Sequence, residues 1–328
     1  MRIVVTGSIA TDHLMTFGGK FTDSIVEGQL EKLSVSFLVN DLNIHRGGVA
    51  GNIAFGLGCL GEQPVLVGAV GEDFADYDAW LTRHGVDTES VHVVEDLHTA
   101  RFICTTDEVG NQISSFYPGA MSRSRDIELE PVIQRIGGAD LVVISPDDPE
   151  AMTRHTEQCR QLGVAFAADP SQQLTSMEPD RVRDLIEGAD YLFTNEYEAS
   201  LVERRTGWSQ QEIDDKVRVR VTTLADKGSR IVAEGGEPIE VEAAPITSLV
   251  DPTGVGDAFR SGFLAGVGWG LPWRECAEVG SVVAAFVIET TGTQEHSVNP
   301  DVMLDRLREV YGDESAGVVA AAIASATT

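Results

Sequence analysis

Gly254, Gly256 and Asp257 stand directly before an apolar run in the stretch DPTGVGDAFRSGFLAG, residues 251–266. Glycines lose the most backbone freedom on folding, so a pair of them at one point needs a reason. At the start of a helix, Gly-x-Gly leaves several N–H groups free of side-chain cover. The helix dipole adds about half a positive charge there. Such a turn can seat a phosphate. Asp257 has a purely structural reading as well, because an acid in the first helical turn is worth about 0.3–1 kcal/mol against the dipole. Beside an anion site, however, a carboxylate repels the phosphate that the turn would hold. That conflict is tolerable if the carboxylate accepts a proton from a hydroxyl attacking phosphorus. The glycine amides would then stabilise the transferring phosphoryl group as its charge spreads. Gly-x-Gly-Asp alone is a weak signal, and the elements around it must place it.

From about residue 139 the chain alternates short apolar runs with helical patterns. ADLVVIS ends at Ser145, VAFAADP at Asp169, ADYLFTN at Asn195 and VRVRVTTL near Thr223. Alternation of this kind predicts βαβ units and a parallel sheet. A hairpin over Ser229–Ala243 and two long apolar helices, Val255–Val267 and Ala277–Ile288, complete that half. In the first half, a strand Ile3–Thr6 and a helix Val49–Leu60 fit the same pattern. Residues 12–45 and 98–118 do not. TARFICTTDEVGNQISSFYP reads as two strands across an Asp-Glu-Val-Gly-Asn turn with no crossover helix. These excursions predict a small β layer beside the main sheet, acting as a lid. The expected architecture is α/β, a mostly parallel sheet flanked by helices, in one domain over residues 1–328. The tail from Ser315 reads as a short helix or a frayed end.

Ligands of open parallel sheets bind beyond the carboxyl ends of the strands. Here the apolar runs end repeatedly in polar residues: Ser8 and Asp12, then Asp169, Asn195, Thr222 and Thr223. Singly, each reads as a strand terminus or a helix cap. Together they mark one edge of the sheet as a site. In HRGGVAGNIAFGLGCLG, Val49, Ile53, Leu57 and Leu60 recur at helical spacing and face a core. Gly48 and Asn52 are read as ligand contacts, whereas Gly56 and Gly58 are read as tight helix packing.

Composition narrows the chemistry. The balance of 24 Lys+Arg against 52 Asp+Glu in 328 residues gives a formal charge of −28, which excludes nucleic acid and anionic membrane surfaces as partners. Any bound phosphate must therefore be held by backbone amides, a helix terminus or a metal ion. Four scattered cysteines without a Cys-x-x-Cys pair read as reduced thiols of a cytoplasmic protein. No segment reaches the length of a membrane span.

The stretches HRGGVAGNIAFGLGCLG and DPTGVGDAFRSGFLAG resemble the two signatures of the PfkB, or ribokinase-like, family of carbohydrate and nucleoside kinases. NEYE (Asn195–Glu198) resembles the Asn-x-x-Glu element of the family, and TLADKGS (Thr223–Ser229) its nucleotide loop. Within the family, GSIATDHLM, SFYPGAMS, FAADPSQQL and TGTQE look like the actinobacterial type of adenosine kinase. The resemblance implies an ATP- and Mg²⁺-dependent transfer to the 5′-hydroxyl of adenosine. In it, Asp257 is the base and Gly254 to Gly256 the anion hole. Asp12, Gly48 and Asn52 hold the ribose hydroxyls, Asn195 and Glu198 place phosphates and Mg²⁺, and Thr223, Asp226 and Gly228 receive the nucleotide. Asp251 belongs to a K⁺-type monovalent cation site. Many members dimerise through the lid, so a homodimer is expected.

Three departures stand out. Ala225 replaces a glycine of the nucleotide loop, so that loop is expected to be less open or less strained. Pro252 and Val255 replace the usual threonine and alanine. DPSQQ replaces an Asp-x-Asn-x-Arg pattern, and the amides of Gln172 and Gln173 suit a neutral purine edge, although surface loops use glutamine freely. Phe102 and Phe116 in the lid, with Ser36 and Phe37 before it, are candidate contacts to a base, where stacking is worth about 1–3 kcal/mol. The same aromatics equally suit packing of the lid. Arg260, one turn after Asp257, reads either as an acid partner or as a solvent-facing residue. A family kinase acting on ribose, fructose or another nucleoside remains open, as does a silent nucleoside-binding protein. An NAD-dependent oxidoreductase is poorly supported, since no Gly-x-Gly-x-x-Gly follows the first strand.

Overall fold

The computed structural model describes residues 1–24 and 36–326. Its first half runs β1 Ile3–Thr6, β2 Ala10–Phe17, β3 Val39–Gly47, α1 Val49–Cys59, β4 Val65–Val67, β5 Ala69–Gly71, α2 Ala75–Arg83, β6 His92–Val94, β7 Ala100–Thr106 and β8 Gln112–Tyr117. The second half alternates as the sequence predicts: α3 Leu129–Arg135, β9 Leu141–Ile144, α4 Pro149–Leu162, β10 Phe166–Ala168, α5 Pro179–Ile186, β11 Tyr191–Asn195, α6 Glu196–Thr206, α7 Gln210–Asp214 and β12 Val219–Thr223. There follow β13 Ser229–Ala233, β14 Ile239–Val241, α8 Val255–Gly268, α9 Trp273–Ile288, α10 Pro300–Tyr311 and α11 Asp313–Ala326.

Eight strands form the main sheet in the order β14-β13-β12-β11-β10-β9-β1-β4. It is parallel from β4 to β12, and the β13–β14 hairpin adds an antiparallel edge. Alternate side chains of the strands enter two cores, as a pleated sheet covered on both faces requires. Val5, Val143, Phe193 and Val221 pack with α1, α8 and α9. Val4, Val142, Ile144 and Leu192 pack on the opposite side with α4, α5 and α6. Helices α8 and α9 approach closely because Gly262 faces Gly280: a Cβ on Gly262 would lie 2.8 Å from the Gly280 Cα. Phe263, wholly buried there, stacks on Trp273 and meets Phe193 edge-on.

The small β layer is a four-stranded sheet in the order β3-β2-β7-β8. It is not a simple pair of hairpins, because β2 and β7 run parallel although distant in sequence. Residues 25–35 of the first expected lid segment lie outside the described residues. The Asp107–Asn111 turn forms as expected, with Asp107 Oδ1 accepting the Val109 and Asn111 N–H groups. Residues 61–97, unassigned from the pattern, supply β4 to β6 and α2. Of the two alternatives for the C-terminal tail, its described residues take the helical one, α11. Ala316 and Val319 of α11 are buried, and Ser315 Oγ hydrogen-bonds Glu278 on α9. All four cysteines are free. Among the described residues no helix is long and apolar enough to cross a membrane.

Candidate active site

The carboxyl ends of the parallel strands deliver the polar residues to one edge of the sheet. Helix α8 begins there on Gly254, whose φ of 75° is left-handed. A Cβ at Gly254 would also strike the Thr293 side chain at 2.7 Å. The first hydrogen bond within the helix runs from Ala258 N to Gly254 O, 2.9 Å, so the preceding amides have no partner in the helix. Asp251 ties the incoming loop together, its two oxygens accepting Thr253 N at 2.9 Å and Gly292 N at 3.0 Å. Despite partial burial, these bonds hold its pKa below the usual carboxylate value.

Asp257 is half-buried beside this turn and accepts the Asn52 amide, Nδ2 to Oδ2, at 2.9 Å. Burial is the largest influence on its pKa and pushes it up. Arg260 and the Asn52 amide pull it back, and Glu198 adds to the rise. Asp12, on the lid strand β2, stands at the same place. Burial raises its pKa to about 6, with further contributions from Asp251 and Asp257. A Cβ at Gly47 would lie 2.9 Å from Asp12 Oδ2, so this glycine makes room for the carboxylate. Asp12 is paired across the lid sheet with His45 and Phe102, and Phe102 with Phe116. Cross-strand partners share a face, so both phenylalanines lie in a row with Asp12. They are 36% and 50% exposed, unlike packed core aromatics.

Asn195 and Glu198 form a capping box at the start of α6, with reciprocal bonds of 2.8 Å. The box explains their i,i+3 spacing structurally. Glu198 is buried, so it is not a solvated helix acid, and it also accepts Ser171 Oγ at 3.2 Å. Thr223 ends β12 opposite Asn195. Gly228 closes the loop that follows: its φ is 99°, and a Cβ there would lie 1.9 Å from Val241 O. Asp226 is exposed in that loop. Of the two expectations for Ala225, a less open or a less strained loop, the second fails, because the residue holds φ at 54° where glycine is favoured.

Several expected ligand contacts also have local partners in the chain. Ser8 Oγ accepts Val49 N at 3.0 Å, opening α1. The space over Gly48 is taken by the Ser8 carbonyl and Ala10 N, 2.5 and 2.6 Å from a Cβ built there. Gly56 and Gly58 pack tightly against Ser261 and His84, as the sequence suggested. The Gln173 amide donates to Asp147 O at 2.8 Å and accepts Ser176 Oγ at 2.8 Å, whereas Gln172 is exposed. Ser36 is exposed next to Phe37, which packs against Phe17 and Phe21.

Other residues enter that the sequence left without a role. Arg260 is buried, its Nη2 2.7 Å from Asp169 Oδ1 and 4.0 Å from Glu198 Oε2. Its Nη1 lies 2.8 Å from where a Cβ of Gly256 would be, which gives that glycine a second reason. One signal could have found it: a charged residue on an otherwise apolar helix, where burial requires a partner. Thr293 and Gln294 hydrogen-bond Asn52, and Tyr77 hydrogen-bonds Gln294; no periodicity marks them. Among the described residues no cluster of three or more His, Cys, Asp or Glu side chains could hold a metal by itself.

The model of the pfkB family carbohydrate kinases matches residues 11–301. The chain belongs to the PfkB family. It is an ATP-dependent phosphotransferase with the ribokinase-like fold, the lid sheet included. A nucleoside kinase from Methanothermobacter thermautotrophicus is 32% identical over 83% of this PfkB chain and 87% of its own length. A nucleoside kinase of Burkholderia thailandensis, solved in complex with inosine, is 34% identical, with a TM-score of 0.82 over 95% of this chain and 98% of that one. A cytidine kinase from Thermococcus kodakarensis is 26% identical over 75% of this chain and 88% of its own.

Proposed function

We propose that this PfkB kinase phosphorylates a nucleoside, adenosine in the first place, at its 5′-hydroxyl to give AMP and ADP. The observation that carries this reading is the half-buried Asp257 held by Asn52 beside the amides of the α8 turn. The lid row of Asp12, Phe102 and Phe116 lies on the same side, and the similarity to nucleoside kinases supports the substrate class.

The nucleoside enters with its ribose hydroxyls on Asp12 and its base against Phe102 and Phe116. The 5′-hydroxyl gives its proton to Asp257 while its oxygen attacks the γ-phosphorus. The new P–O bond forms as the bond to the β-phosphate oxygen breaks, and ADP leaves. The amides at the start of α8, those of Gly254 to Gly256, receive the negative charge that spreads over the transferring group. Asn195, Thr223, Asp226 and Gly228 line the ATP side. Glu198 is the acid that would take part in holding Mg²⁺, together with phosphate oxygens and water, a sharing that suits this ion. When bound, Mg²⁺ supplies neutralisation of the phosphate charge. Asp251 and nearby carbonyls would hold a K⁺-type cation, with the Asp251 oxygens shared with the Thr253 and Gly292 N–H groups they already accept.

A broader nucleoside range is the second reading. The Gln173 amide has its own partners in the chain, so selection for adenine rests on Gln172 and the lid. The test is ADP release from MgATP across adenosine, inosine, guanosine, cytidine, ribose and fructose, with Asp257→Asn alongside. Turnover on nucleosides that falls about 10²–10⁴-fold in the variant is the expected result. Preference for free sugars would overturn the substrate class, and full activity of the variant would overturn the base.

A further inference from the structure

We propose that Gln294 is a positioning residue that orients the catalytic base through Asn52. The inference rests on Asp257 acting as that base. Three side chains converge on the Asn52 amide. Its Nδ2 donates to Asp257 Oδ2 at 2.9 Å, and its Oδ1 accepts Gln294 Nε2 at 2.9 Å. Thr293 Oγ1 lies 2.8 Å from the same Oδ1 and 2.8 Å from the Arg46 carbonyl.

The hydrogen-bond directions follow from the groups available. An ionised carboxylate only accepts, so Asn52 must present its NH₂ to Asp257. Its oxygen then faces the interior and needs donors. The Gln294 NH₂ has two hydrogens and directs one to Asn52 Oδ1 and the other to the Tyr77 hydroxyl. Tyr77 in turn donates to the Gly47 carbonyl at 2.9 Å. From the Gly47 carbonyl through Tyr77 and Gln294 to Asp257 every step has one donor and one acceptor in a fixed sense, so the Asn52 amide cannot flip without breaking the chain; the single Thr293 hydroxyl proton serves either Asn52 Oδ1 or the Arg46 carbonyl. Gln294 and Tyr77 are both buried, and water does not substitute freely there.

The chain also reaches the lid. Arg46 and Gly47 are the last residues of β3, the strand beside Asp12. Base orientation and the root of the lid strand therefore share one hydrogen-bond network. With Oδ2 occupied by Asn52, Oδ1 of Asp257 is left to face the attacking hydroxyl.

The test is steady-state kinetics of Gln294→Met, Asn52→Ala and the double variant on the preferred nucleoside. The inference expects kcat of Gln294→Met to fall about 10–100-fold, with the nucleoside KM within about twofold of wild type. The double variant should be no worse than Asn52→Ala within about threefold, because both changes act through one amide. Losses that multiply, or a lowered Tm with unchanged kcat, would overturn it. Gln294→Glu keeps the shape but loses the paired donors, and it reports if the methionine variant fails to fold. Full kcat in Gln294→Glu would overturn the proposal equally. Asp257→Asn separates the two levels: activity retained there removes the base, and this inference with it.

Discussion

The guanidinium of Arg260 lies 2.7 Å from the carboxylate of Asp169, and both groups are buried. Arg260 reaches from the third residue after Asp257 to the end of β10 and toward Glu198, so one cation serves three acids at the start of α8. Removing one member of a buried pair leaves the other charge uncompensated, at roughly 3–5 kcal/mol. Arg260→Met should lower stability to urea by that order. Asp169→Asn should be milder, since Arg260 keeps Glu198 and Asp257. Equal stability of Arg260→Met and wild type would mean the cluster is solvated.

Asp12 gives a pH-dependent effect of opposite sign to the usual carboxylate. Its pKa is raised from 3.8 to about 6 in the fold, so between those values the native state binds more protons than the unfolded chain. Its contribution to stability is then complete below pH 4 and is lost as pH rises through 6. Asp12→Asn should therefore raise stability at pH 7.5 by on the order of 1–3 kcal/mol. The same variant should bind the nucleoside less tightly. Thermal unfolding at pH 4 and pH 7.5 checks the first part, where the gain should appear only at the higher pH.

Ala225 carries left-handed strain in the loop after β12. Ala225→Gly should relieve about 1 kcal/mol, net of the entropy that glycine brings to the unfolded chain. Chemical denaturation measures it. A loss of stability on this substitution would show that the loop is not strained at that residue.

Phe102 and Phe116 are too exposed for core packing to explain them. Phe102→Ala and Phe116→Ala should each weaken nucleoside binding by about 1–3 kcal/mol, or roughly 5- to 160-fold, if a base stacks there. Their melting temperatures should move little. Unchanged KM with a large fall in Tm would return both residues to a packing role.

The opposite face of the lid sheet presents Leu42, Ile44, Ile113 and Tyr117, each at least 40% exposed. In register they alternate with the row that faces the site. An apolar sheet face of this kind suits a second copy of the chain, the homodimer expected from the family resemblance. Ile44→Lys with Ile113→Lys should convert a dimer to a monomer in sedimentation velocity. A wild-type protein that sediments as a monomer would exclude this role.

The parallel βαβ half was legible in the sequence, because each strand and helix there is a local pattern of period and punctuation. It also marked the strand ends and the Gly254–Asp257 turn, since a glycine-rich helix start followed by an acid is a chemical statement made by neighbouring residues. What it could not reach were relationships between residues far apart in the chain. The parallel pairing of β2 with β7 joins two segments separated by more than 80 residues and creates the row of Asp12, Phe102 and Phe116. Arg260 acquired a role only when α8 packed beside β10. The tertiary structure also decided which expected contacts were already occupied. Ser8 Oγ takes the Val49 N–H, the space over Gly48 is filled by backbone, and the half-buried Gln173 amide bonds Asp147 and Ser176. Asn52 shows the same division: its place in the first turn of α1 is legible in the sequence, but its partners are not. Hydrogen-bond direction is a property of groups that only folding brings together.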